Sequence, residues 1–201
     1  MKLFNFFKSK TKLNGKEIET NLVSHKQENS TISQDKLPYS SQTTLASVLH
    51  FISDNSKLLG IHLNGGASDT EIDHFELNKF VLPDDFKLLY KFTNGFETDQ
   101  DIFRLIPLDE IFHNKKDDYY LISDYSFHFT EYMIYSDMWT ADIDVTSKNS
   151  YRIYNKSDDI VFLTNSIAEF LVIFINKGIY DGLYQWRADI RSRQVNPRLT
   201  D

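Results

Sequence analysis

The stretch LPDDFKLLYKFTNG, residues 82–95, constrains the fold more than any other part of the chain. It marks both ends of one short helix. Pro83 keeps Leu82 out of helical geometry, and its own fixed φ suits a first helical turn. Asp84 and Asp85 follow, where the helix dipole stabilises each exposed carboxylate by ~0.3–1 kcal/mol. Phe86, Leu89, Tyr90 and Thr93 fall on one face, with Leu88 and Phe92 beside it. Asn94-Gly95 stops the helix, because a left-handed terminal residue is easiest for glycine and next easiest for asparagine. All of this is folding chemistry, and nothing in the stretch looks catalytic.

Other elements are punctuated in the same way. Leu45, Val48, Leu49 and Ile52 keep helical spacing behind an N-cap at Thr44. Gly60 and Asn64-Gly65-Gly66 are breaks. Ser68-Asp69-Thr70-Glu71 is a capping-box pattern. It predicts a helix through about Lys79, with Ile72, Phe75 and Leu77 turned inward. Ser166-Ile167-Ala168-Glu169 is a second such box. Its helix turns Phe170, Leu171, Phe174 and Ile175 inward and closes at Lys177-Gly178. Val172 and Ile173 make it apolar nearly all round, the mark of a buried helix.

Between these helices the chain is β-rich. Residues 102–107, 119–123, 127–135, 151–154 and 160–163 are predicted strands, with a helical turn at 108–112. Residues 137–149 divide into strand and turn. After Tyr184 the pattern allows a short docked helix or a loose tail. The residues therefore predict an α+β domain over 43–184 and a C-terminal tail over 185–201. A flexible N-terminal arm is predicted over 1–42, because residues 8–42 are too polar to offset chain entropy by burial.

Sixteen Phe and eleven Tyr supply ample core. There is no cysteine, which excludes disulfides, thiol nucleophiles and thiolate zinc sites. Charge is uneven. Seven Lys against four acids give residues 1–41 a charge of +3, and four Arg against two Asp give residues 187–201 a charge of +2. With −7 overall, residues 42–186 carry −12. Such a surface is a poor match for nucleic acid, and it suits a basic protein partner by electrostatic steering. No run reaches the ~18–20 apolar residues of a membrane span. The start, MKLFNFFKSKTK, lacks the apolar length of a signal peptide, so a cytoplasmic location is expected. Leu3, Phe4, Phe6 and Phe7 leave open a scaffold whose arm touches a membrane or a larger assembly.

No catalytic constellation emerges. His25, His50, His62, His74, His113 and His128 include no HExxH pair. Three acidic pairs, Asp117-Asp118, Asp142 with Asp144, and Asp158-Asp159, offer oxygen ligands for a hard cation and leave a metal-dependent enzyme as an alternative. As a strand, 142–144 would put both carboxylates on one face. No EF-hand loop surrounds any of the pairs, and turn chemistry accounts for them equally well. No cofactor is expected. Trp139, set among acids, reads either as an interface anchor or as core. Asp124, Glu131, Asp137, Trp139, Asp142 and Asp144 are the candidate partner-binding residues, chosen because acid and aromatic side chains mix there.

The ordered series GASDTEID (66–73), LP (82–83), DDFKLLYKFTNG (84–95), FRLIPLDEI (103–111), YYLISDYSFHFTEYMIY (119–135), YRIYN (151–155) and NSIAEFLVIFI (165–175) resembles the SUKH superfamily, the Smi/Knr-type domain. The resemblance covers residues 66–184. Phe75 departs from the pattern, since many relatives carry Glu there. The resemblance implies a mostly antiparallel sheet flanked by helices. It also implies a non-enzymatic protein-binding module. Many bacterial members resemble immunity proteins that neutralise a partner toxin, often a nuclease, and fungal relatives are linked to regulation of cell-wall synthesis.

Overall fold

A computed structural model of the chain describes residues 37, 40, 42–99, 102–111, 116 and 118–195. Nearly all of the expected arm, the acid Asp117 and the end of the tail lie outside them. The described residues form an α+β fold with a seven-stranded, wholly antiparallel sheet. Helices α1 (Leu45–Asn55), α2 (Asp69–Asn78) and α3 (Asp84–Phe92) belong to the first half, with β1 (Ile61–Leu63) between α1 and α2. The strands β2 (Phe96–Thr98), β3 (Phe103–Leu105), β4 (Ser126–Tyr132), β5 (Asp137–Asp144), β6 (Ser150–Lys156) and β7 (Ile160–Thr164) follow. Each strand pairs with the next in sequence, so the sheet is a simple meander. Helix α4 (Ile167–Lys177), a π-helical turn (Ile179–Tyr184) and α5 (Gln185–Val195) close the fold.

The predicted caps are present. Thr44 accepts from the Ser47 amide at the start of α1, and Ser68 and Glu71 form a reciprocal capping box on α2. At α4 Ser166 accepts from the Glu169 amide, while the Glu169 carboxylate turns to the Thr164 hydroxyl instead. Helix α3 stops by a different device from the one expected. Thr93 is already extended, and its hydroxyl donates to the carbonyls of Asn64 and Gly95. Gly95 takes the left-handed conformation two residues later, at φ +100°.

The core lies between the helices and one face of the sheet. Phe86 of α3 meets Phe127, Phe129 and Tyr151 edge-on, and Phe174 of α4 stacks on Phe103 at 4.3 Å. Along β5 the two-residue period sends Trp139, Ala141 and Ile143 into this core, and Met138, Thr140 and Asp142 to the other face. That second face is also covered. Residues 118–123 run across it as a strap: the Tyr154 hydroxyl donates to the Tyr120 carbonyl and accepts from the Ile122 amide, while Leu121 is buried. Cover on both faces explains why β4 shows no clean polar alternation.

Three expectations are corrected, and two short strands are added. Residues 119–123 are the strap rather than a strand, because their polar groups are spent on side chains of the sheet they cross. β1 and β2, three residues each, carry no sequence signal of their own. Leu77 is 85% exposed, since it sits five positions after Ile72 and so on the far side of α2. The predicted strand 127–135 ends at Tyr132, and its last three residues form a turn. After Tyr184 the chain is helical, and α5 is held by Arg187 and Arg191, both on the Asp159 carboxylate at 2.8 and 2.7 Å.

Candidate interaction surface

The six candidate residues do not form one surface. Trp139 is fully buried on the helix-facing side of the sheet, against Phe103, Phe170 and Tyr184. Of its two readings, interface anchor and core, the placement of Trp139 as a candidate partner contact is corrected and the core reading holds: acids adjacent in sequence flank it, but strand alternation puts Met138 and Thr140 on the other face. Glu131 is buried and pairs with Arg104. Asp137 is half-buried and accepts from Asn155 at 2.7 Å. Asp142 is buried, accepting from Ser123 at 2.5 Å, Ser126 at 2.8 Å and Arg152 at 3.0 Å. Asp124 and Asp144 are exposed. The Asp144 carboxylate accepts from the Thr146 hydroxyl and amide, which hold its pKa below the usual range. Of the other acids, Asp118 pairs with His128 and Asp159 with the arginines of α5. Among the described residues no group of three His, Cys, Asp or Glu could hold a metal ion.

Asp118, His128 and Thr140 form a chain of carboxylate, imidazole and hydroxyl. His128 Nε2 lies 2.8 Å from Asp118 and Nδ1 lies 2.7 Å from the Thr140 hydroxyl. Burial pushes the imidazole pKa down despite the pull of Asp118. The ring is then neutral near pH 7. A carboxylate only accepts, so Nε2 carries the proton and Nδ1 accepts from Thr140. The order is that of an activated nucleophile, but Thr140 is 1% exposed beneath the strap. In this arrangement the chain ties the strap to the sheet.

A different surface appears where β4 turns into β5. Met133, Ile134 and Tyr135 all adopt left-handed backbone, at φ +50°, +53° and +61°. Ile102, whose carbonyl accepts from the Met133 amide, does the same at φ +49°. Each such non-glycine residue costs on the order of 1–2 kcal/mol, and β-branched isoleucine is among the worst suited. All four side chains are exposed, Ile134 to 77%. The side chains of Ile102, Met133 and Ile134 gain little by burial there.

The turn is braced from below. Ser136 donates its hydroxyl to the Met133 carbonyl at 2.7 Å, and Glu131 accepts from the Tyr135 amide at 3.1 Å. Arg104 holds Glu131 through Nε, Glu110 through Nη1 at 2.7 Å and the Tyr135 hydroxyl through Nη2 at 3.2 Å. Desolvation alone would lower the Arg104 pKa, but Glu131 and Glu110 outweigh it and raise it. Across the sheet, Glu97 sits opposite Arg104, which sits opposite Glu131. The result is a groove of about 340 Å³ walled by Ile102, Ile134 and Tyr135, with Glu97 and Arg104 at its polar side.

A larger cleft, about 500 Å³, lies between Pro83 and the β5–β6 turn. Its charged neighbours serve the fold: Asp84 binds Asn149, and Lys87 pairs with Glu76 at 2.8 Å. Its one left-handed non-glycine residue is Asn149, a type that tolerates that conformation.

No family model matches the chain, and no curated protein matches it. No helix among the described residues is long and apolar enough to cross a membrane. The turn surface escaped the sequence because Met-Ile-Tyr-Ser contains none of the glycine, asparagine or proline that marks a turn. Its apolar run looks like the end of a strand.

Proposed function

We propose that this chain is a non-enzymatic protein-binding module of the SUKH, Smi/Knr-type kind, acting in the cytoplasm as an immunity protein that neutralises a partner toxin by direct binding. One observation carries the reading: four exposed apolar residues stand on unfavourable left-handed backbone at one turn, and three of them, Ile102, Ile134 and Tyr135, wall one groove. Backbone strain concentrates where a protein presents residues to something else, and exposed aromatic and aliphatic residues are the usual anchors of protein contacts. The charge of −12 on residues 42–186 favours a basic partner, such as a nuclease, and speeds encounter with it.

Co-purification and co-expression with the proteins encoded beside it test the reading. A 1:1 complex with one of them, and survival of cells that express that toxin, are expected. Recovery of no partner together with no protection would refute it.

A further inference from the structure

The groove at the β4–β5 turn has a definite chemical preference. Its apolar walls, Ile102, Ile134 and Tyr135, are exposed, while its floor reaches the buried Phe103. Arg104 is committed, with its guanidinium shared among Glu131, Glu110 and Tyr135. Glu97 is exposed and has no hydrogen bond or ion pair among the described residues. Of the charged residues that line the groove, Glu131 is buried against Arg104, which leaves Glu97 as its exposed charge. Glu97 stands opposite His62 on β1, whose pKa it helps to raise, and shares the groove with Tyr135, whose ring lies 5.9 Å from the Arg104 guanidinium.

An acetate-like group would be repelled there, and a purely apolar chain would leave Glu97 desolvated without a partner, which is costly. A long cationic side chain suits these walls: its methylenes cover Ile102 and Ile134, and its charged end meets Glu97 beside Tyr135, whose ring is already in contact with Arg104. We propose that this groove takes a basic segment of a partner protein, with apolar residues alternating along it and a lysine or arginine side chain seated between Glu97 and Tyr135. The proposal rests on reading the turn as a binding surface and adds the chemistry of what it binds.

The 201-residue chain, labelled with ¹⁵N, is titrated with three capped peptides: alternating Lys-Leu, alternating Glu-Leu and alternating Lys-Ser. The Lys-Leu peptide is expected to shift amides of residues 97–104 and 131–136, while the other two bind at least about tenfold more weakly. Ile134→Asn should weaken Lys-Leu binding about tenfold and Glu97→Gln about threefold. Both positions are exposed, and asparagine suits left-handed backbone, so both variants should fold. Shifts centred instead on Asp124 and Asp144, equal binding of the Glu-Leu peptide, or unchanged affinity in both variants would overturn the proposal. Failure of the two readings can be told apart. Groove-dependent peptide binding without toxin protection refutes the immunity role alone. Full protection by both variants refutes the groove alone.

Discussion

Ile134 has a branched Cβ, a φ of +53° and a side chain mostly in water. Each property alone is unfavourable or neutral for folding, and together they mark a residue retained for contact. Trp139 is its opposite, five residues away on β5 and fully enclosed by Phe103, Phe170 and Tyr184. Trp139→Ala should cost ~3–5 kcal/mol, the usual penalty for emptying a large aromatic site. Urea denaturation would measure it, and a change below about 1 kcal/mol would mean the indole is not core. Loss of binding in such a variant would therefore report unfolding rather than a lost contact. The two residues also show why side-chain roles were hard to read. Trp139 reads equally as anchor or core because acids flank it in sequence, and Ile134 reads as strand because nothing around it says turn.

At the scale of elements, α3 is seated by backbone. The Ala67 amide donates to the Tyr90 carbonyl and the Asn94 amide to the Gly65 carbonyl, both at 2.8 Å. This close approach leaves no room at Gly66, where a Cβ would stand 1.9 Å from the Lys91 carbonyl oxygen. Gly66→Ala should cost several kcal/mol, on the order of 3 or more, since backbone has to shift to admit it. Thermal unfolding would test this, with Gly65→Ala, where a Cβ meets nothing within 4 Å, as the tolerant control. Equal midpoints for the two variants would contradict the packing described.

The strap over the second face of the sheet depends on His128. Burial lowers its folded pKa below the ordinary 6.5, against the opposing pull of Asp118. The unfolded chain then binds a proton more readily than the folded one. Stability from this group is full above pH 6.5 and is lost as pH falls through the lowered folded value. His62, raised by Asp99 and fully exposed, acts in the opposite sense. Unfolding free energies at pH 7.5 and 5.5 should therefore differ less in His128→Gln than in the unaltered chain. An identical pH slope would show that His128 is not titrating against folding. The Tyr-Tyr-Leu-Ile run of the strap carries β propensity and so reads as a strand. What decides is whether a neighbour offers a ladder, and sequence does not show that. The long helices and strands were legible because their caps and periods are local. β1 and β2 were not, because three residues carry no period and become strands only by pairing.

Across the whole molecule, the meander keeps sequence neighbours adjacent in space. Residues of β2, β3 and β4 therefore meet at one end of the sheet and build the groove from Glu97, Arg104 and Glu131. The net charge of residues 42–186 favours approach of cations to the molecule. Association with the Lys-Leu peptide should slow roughly tenfold between 50 and 500 mM salt, as screening shortens the reach of the field. A salt-independent rate in stopped-flow mixing would remove steering from the account. Composition disclosed the acidity, but not that exposed Glu97 shares a groove with a strained apolar turn. That coincidence comes from residues 30 or more apart in the chain.

Ile134→Asn joins the scales in one experiment, in which unfolding free energy and Lys-Leu peptide affinity are measured on the same protein. If Ile134 is held on left-handed backbone for the sake of contact, the variant should be more stable by about 0.5–1 kcal/mol and bind about tenfold more weakly. A variant that is less stable and binds as well as before would contradict the central claim that the β4–β5 turn is a binding surface.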